Sequence, residues 1–171
     1  HIHLATWLGM YEAATPFTTA GDNATVRLDL DNEPQPDLLL LLEPDAGGQS
    51  SLTEDGYILG APELVVEIAA SSASYDLHDK LKAYRRNGVK EYIIWQTQSK
   101  KLEWLVFSEG QYYSLATDNG IHKSPNFPGL WLDAAALLEG NLAKVLETLQ
   151  QDTASSEHEA FIHELSEKAA Q

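Results

Sequence analysis

The sequence predicts an α/β fold, a mixed central sheet flanked by helices and followed by C-terminal helices. Three observations carry this. Glu63 to Trp95 reads as an apolar strand, a Ser-rich turn, an amphipathic helix and a second apolar strand, a unit whose two strands run parallel with a right-handed crossover. Leu102–Phe107 and Gln111–Leu115 then flank Ser108-Glu109-Gly110, which predicts an antiparallel hairpin and so a mixed sheet. After Pro128 the pattern turns helical to the end. A length of 171 residues suits one domain, 1–171, in which 133–171 is a helical extension.

In chain order, Leu4, Trp7, Leu8 and Tyr11 follow helical spacing up to Pro16, so a helix is expected over 1–14. Gly21-Asp22-Asn23 predicts a turn. Ala24–Asp31 alternates Val26, Leu28 and Leu30 with polar residues, the pattern of a half-buried strand. Asp37–Leu42 is a continuous apolar run, expected where both faces of a strand are covered. Glu43–Gly56 predicts an exposed loop and Tyr57–Leu59 a short strand.

In Glu63–Ala70, period two sets Glu63, Val65, Glu67 and Ala69 on one face. Ser71 to Ser74 offer caps for a helix over 75–87, whose apolar stripe is Leu77, Leu81 and Tyr84 and whose stop is Gly88. Lys90–Trp95 is the next strand. Residues 117–128 read as irregular, and 130–138, 141–149 and 156–169 as helices, the first two parted at Gly140.

The composition is that of an ordinary globular protein, 43% hydrophobic and 9% aromatic. No apolar run approaches the roughly 20 residues that span a bilayer, so no membrane partner is expected. The chain opens on His1 rather than Met, so a missing N-terminal segment is expected. The absence of cysteine excludes disulfides and thiolate metal sites and fits a reducing cytoplasm. The net charge of −15 argues against nucleic-acid binding by the surface as a whole. Yet seven of the eleven basic residues fall between Lys80 and Lys101. That cluster is either a basic ridge or a solvated helix face.

Two carboxylates sit in apolar strands: Asp37, after Pro36, and Glu67, inside LVVEIAA. Burying an unpaired carboxylate costs several kcal/mol unless it is protonated, paired or bound to a metal. If the strands are neighbours, the pair suits a hard cation such as Mg²⁺, which takes one or two carboxylates and keeps its waters. Alternatively, each carboxylate caps a strand or meets a lysine, or the two are the acid and base of a glycosidase, for which a sugar-stacking aromatic platform is missing. Lys80 either leans over the site or forms a helix ion pair with Asp76, four residues earlier. The six histidines form no cluster, and neither a phosphate-binding Gly-rich loop nor a G-x-S-x-G elbow is present.

The order Pro36-Asp37, Glu67 in an apolar strand, Ser71-Ser72, Asp76, Lys80, Tyr84, Gly88-Val89 and Glu91-Tyr92 resembles the restriction-endonuclease-like family widespread in cyanobacteria, a domain of unknown function within the PD-(D/E)XK nuclease superfamily. PNFPGLWLDAAALLEGNLAKVLETLQ resembles a large subgroup of it, so the likeness runs from about residue 1 to 165. It implies a restriction-endonuclease-like core, a Mg²⁺ or Mn²⁺ site and hydrolysis of DNA. Asp37 matches the acid of the first half-motif and Glu67 that of the second. The superfamily's lysine position is Ala69 here, and Lys80, on the following helix, stands where the family has moved it. The family's frequent Asp after the E-Y strand is Gln96, and His1 matches a His of the first helix.

On this basis Asp37, Glu67 and the backbone carbonyl near Ile68 are expected to hold the metal, with Lys80 positioning water or neutralising charge. A homodimer is expected, using Phe127, Leu130, Trp131 and Leu132. Mutual repulsion predicts that Asp37→Ala and Glu67→Ala leave the metal-free protein at least as stable. The rival is a catalytically inert nuclease fold acting as a binding or assembly module, favoured by the charge of −15 and by Ala69.

Overall fold

The computed structural model describes residues 1–70 and 75–171. In chain order the elements are α1 (Ile2–Ala14), β1 (Thr18–Asp22), β2 (Val26–Arg27), β3 (Leu38–Leu42), a 3-10 turn (Pro44–Ala46), β4 (Ser51–Leu52), β5 (Ile58–Leu59) and β6 (Leu64–Ala69). There follow α2 (Tyr75–Asn87), β7 (Glu91–Gln96), β8 (Lys101–Ser108), β9 (Gln111–Ser114), β10 (Ile121–Lys123), β11 (Trp131–Asp133), α3 (Ala134–Leu138), α4 (Leu142–Thr153) and α5 (Ser156–Ala169).

A six-stranded sheet in the order β1-β3-β6-β7-β8-β9 is the centre of the fold. It is mixed, as expected: β6 and β7 pair in parallel across the α2 crossover, and the other neighbours are antiparallel. The all-leucine strand β3 shows why the apolar run is continuous. Leu38, Leu40 and Leu42 pack with α1, α4 and α5 residues such as Leu4, Val145 and Leu165, while Leu39 and Leu41 pack with Tyr84, Val89 and Val26 on the other side. Both faces are covered, so both sets of side chains are apolar. The β8–β9 hairpin turns on Glu109 (φ 49°) and Gly110 (φ 79°), the left-handed pair that a two-residue hairpin loop requires.

Several boundaries differ from expectation. Thr18–Asp22 is a strand rather than the lead-in to a turn, because antiparallel pairing with β3 overrides its weak apolar pattern. The strand expected over Ala24–Asp31 shortens to Val26–Arg27. Asp29 accepts from the Asp31 amide (2.9 Å) and the Asn32 side chain (2.7 Å), and this turn throws Leu30 fully into solvent. The expected exposed loop 43–56 contains the 3-10 turn, strand β4, and the buried residues Ala46 and Ser50. Residues 121–123, expected to be irregular, pair with Trp131–Asp133, which removes the first turn of the helix expected from Leu130. Asp133 instead caps α3 through the Ala136 amide.

The apolar residues offered for a dimer surface serve the chain itself: Phe127, Leu130 and Leu132 are fully buried, and Trp131 lies under the Lys123 ammonium. The caps expected at Ser71 to Ser74, and the side chain of Asp76, lie outside the described residues. Among the described residues no helix is long and apolar enough to cross a membrane.

Candidate active site

The site grows from the antiparallel register of β3 and β6. Leu38 is opposite Val66, so one further step sets Asp37 level with Glu67. Opposed residues of an antiparallel pair project to the same face. Here that face is the one carrying Leu39, Leu41 and Val65, against which α2 packs. β3 begins at Leu38, so the Ile68 amide has no strand partner on that side. It donates instead to Asp37 Oδ2 at 2.6 Å. The amide and carbonyl of one strand residue point the same way, so the Ile68 carbonyl also points toward Asp37. Asp37 is half-buried and Glu67 is 4% exposed.

Helix α2 supplies the rest. Lys80 and Tyr84 are four residues apart, hence on one face of the helix. The Lys80 ammonium donates to Glu67 Oε2 at 2.9 Å and the Tyr84 hydroxyl to Oε1 at 2.7 Å. Burial pushes the Glu67 carboxyl above its ordinary range, the Lys80 and Tyr84 hydrogen bonds oppose that rise, and the neighbouring charge of Asp37 adds to it. The structure therefore brings Asp37, Glu67, the Ile68 backbone and Lys80 together. It adds Tyr84, which the sequence showed in an apolar stripe and in the family pattern but not as a site residue. Its spacing of four from Lys80 was the available signal.

Gln96 pairs with Ala69, two residues beyond Glu67. It is buried and accepts from Ser99. His1 caps the start of α1 and lies 2.9 Å from Asp22 Oδ1. Asp22 is opposite Leu38, so His1 stands at the Asp37 end of the sheet, tied to another carboxylate.

Glu67 meets a lysine, one of the alternatives that the sequence left open. With a cation and a phenol on its oxygens, its removal strands both donors, so Glu67→Ala is expected to destabilise the metal-free protein rather than relieve it.

The arrangement has the donor chemistry for a hard divalent cation. Two carboxylates and a carbonyl are all-oxygen ligands of the kind Mg²⁺ and Mn²⁺ prefer. A carboxylate has about four lone-pair sites, so Glu67 keeps acceptor capacity beside its two partners. Among the described residues no group of three or more His, Asp or Glu side chains is placed to hold a metal, so water would complete any coordination shell.

The family model described as "Uma2: Putative restriction endonuclease" matches residues 1–135. The chain belongs to the Uma2 family. The match ends before α4 and α5, short of the likeness to about residue 165 that the sequence suggested. Among solved structures, the chain is similar to "a putative nuclease belonging to DUF820 from Anabaena variabilis", at 14% identity and a TM-score of 0.47, over 86% of this chain and 81% of that one. No curated protein matches it. In this Uma2 chain the second acid, Lys80 and Tyr84 come from one β6–α2 segment, and the first acid comes from the neighbouring strand.

Proposed function

We propose that this Uma2 chain is a metal-dependent endonuclease that hydrolyses DNA phosphodiester bonds, with Asp37, Glu67 and the Ile68 carbonyl as ligands of Mg²⁺ or Mn²⁺. The observation that carries this is the level placement of Asp37 and Glu67 on one face of the sheet, with Lys80 touching the second carboxylate. When bound, such an ion polarises a phosphate oxygen and lowers the pKa of its water.

The chain's own groups do the rest. Tyr84 and the Ile68 amide fix the two carboxylates, so that their free lone pairs keep one orientation. Lys80, paired with a carboxylate, is a cation. It is a donor to the attacking water or to a non-bridging phosphate oxygen, where negative charge builds up. In the hydrolysis the water oxygen forms a bond to phosphorus, the bond to the leaving sugar oxygen breaks, and the water's proton passes to solvent while the leaving oxygen takes one up. Cutting both strands with one centre per chain calls for two copies, so a homodimer belongs to the proposal, through a surface other than the buried Phe127, Leu130 and Leu132. We also take residues 1–171 as one domain, because one buried cluster draws on residues from Leu4 to Leu165. A DNA substrate and a cysteine-free chain suit the cytoplasm.

One observation favours the inert-fold alternative: both Glu67 oxygens already have protein partners, as a purely structural carboxylate would. Incubation of supercoiled plasmid with the protein and Mg²⁺ or Mn²⁺ separates the two. Nicking or linearisation that disappears in Asp37→Ala and with chelator supports the nuclease. An intact plasmid across both metals overturns it.

A further inference from the structure

The C-terminal half of α2 turns a different set of side chains outward from the one it turns to Glu67. Lys82 and Arg86, four residues apart and so on one helix face, are both exposed, with side-chain exposures of 59% and 66%. Arg85 beside them donates to Gln111 Oε1 at 3.0 Å, which ties the helix to the β8–β9 hairpin. Between helix and hairpin runs a surface groove lined by Lys82, Arg85, Arg86, Phe107, Gly110 and Gln111. Three of these six residues are cationic, one is aromatic and none is acidic. Among the described residues, Lys82 lies 3.8 Å from Asp79 and Arg86 3.3 Å from Asp29, and neither acid lines the groove. Lys90, at the end of the same crossover, does not line the groove and stands 3.7 Å from the buried Glu63 carboxylate.

This concentration stands out because the whole chain carries −15. A polyanion approaching such a body is repelled almost everywhere, so a local basic groove sets both where and in which orientation it lands. The groove is also close to the candidate site. Six residues separate Lys80 from Arg86, about 9 Å along a helix that rises 1.5 Å per residue, and at 3.6 residues per turn the two side chains leave the axis about 120° apart. A duplex carries one phosphate per strand every 3.4 Å or so, so about three base pairs cover that axial offset.

We propose that the groove between α2 and the β8–β9 hairpin, with Lys82, Arg85 and Arg86 as its phosphate contacts, holds the backbone of the DNA that flanks the cut site. This rests on the nuclease function proposed above. With Lys82, Arg85 and Arg86 on phosphates, its contribution is sequence-independent affinity and register. Phe107 gives the sugar edge an apolar wall.

The test is binding of a fluorescein-labelled 30-base-pair duplex, measured by anisotropy in chelator at several salt concentrations, for the full chain and for Lys82→Gln/Arg85→Gln/Arg86→Gln. Circular dichroism and melting of the triple variant check that it folds. The same duplex and a supercoiled plasmid are then assayed for cutting. Each lost phosphate contact lowers the slope of log affinity against log salt by about 0.9, so the triple variant is expected to bind at least tenfold more weakly with a slope reduced by about 2 to 3. Equal binding and slope in wild type and variant overturn the groove while leaving the nuclease standing. Groove-dependent binding without cutting by the wild type supports the groove and counts against the nuclease. A wild type that neither binds nor cuts overturns both. Binding of fluorescein-labelled poly-L-glutamate in place of the duplex assigns the groove to an acidic protein and overturns the proposal.

Discussion

Lys80 Nζ stands 2.9 Å from Glu67 Oε2, thirteen residues away in sequence, and both side chains are largely shut off from water, at 20% and 5% exposure. A pair this buried is costly to break on one side only, because the remaining charge keeps its desolvation penalty and loses its partner.

Lys80→Met is therefore expected to destabilise the protein by about 3 kcal/mol, read as a shift in the urea midpoint. Adding Glu67→Gln removes the stranded charge and should restore part of that loss. If the double variant is as unstable as the sum of the singles, the two groups are not coupled.

Metal linkage gives a second measurement. An ion that binds only the folded state stabilises it by about 2.7 kcal/mol at a hundredfold excess over Kd. Stepwise Mn²⁺ should raise the Tm of the wild type, and Asp37→Ala should abolish the rise. Asp37 is the cleaner probe, since Glu67 also anchors Lys80 and Tyr84. A flat wild-type response would count against the site.

Glu91 is fully buried, and among the described residues its hydrogen-bond donors are uncharged. Its Oε1 accepts from Ser124 Oγ (2.6 Å), the Asn126 amide (3.0 Å) and Asn126 Nδ2 (2.9 Å), and its Oε2 from Trp104 Nε1 (2.7 Å). It clasps the 124–127 segment to the sheet. Burial pushes its carboxyl upward, and these donors oppose the rise. Glu91→Ala strands four donors at once, so a loss of at least about 3 kcal/mol is expected by urea denaturation. Ser124→Ala, which removes one donor, should cost about 1 kcal/mol.

His122 stacks near Trp104, with ring centroids 5.7 Å apart, and its buried Nδ1 has no hydrogen-bond partner. Burial lowers its pKa from 6.5. A lowered folded-state pKa means that the unfolded chain binds the proton more readily. Its contribution is then present in full above pH 6.5 and is lost as pH falls through the folded value. Thermal melts from pH 7.5 to 5 should show a decline on the acid side that is shallower in His122→Phe, which keeps the ring and removes the titrating nitrogens.

How much of this was legible in the sequence depends on the range of the forces involved. Helix 75–87, its stop at Gly88 (φ 76°) and the β8–β9 hairpin follow from local periodicity and turn chemistry. The carboxylates announced themselves by breaking apolar runs. Lys80 was legible as a residue over the site, but the bonds that it and Tyr84 make to Glu67 were not, because they cross a gap that no local pattern encodes. β1 was missed for the same reason: Thr18–Asp22 is a strand because β3 lies beside it, not because its residues alternate. Glu91 was read only as the start of a strand, since its four donors come from Trp104 and from a segment more than thirty positions downstream. Of the residues offered for a dimer surface, Phe127, Leu130 and Leu132 are buried, which apolar composition alone does not report.

The helices after residue 135 have a consequence of their own. Leu137, Val145, Leu149 and Leu165 are buried in the same cluster as Leu4, Trp7 and Phe127, and the His158 ring sits against Gly129 and bonds Thr15 Oγ1 at 2.8 Å. The stretch that defines the family is therefore not a detachable cassette. A protease nick in the linker between α3 and α4 would leave the tail held in place by its side chains, and the tail would separate only as the rest of the chain came apart.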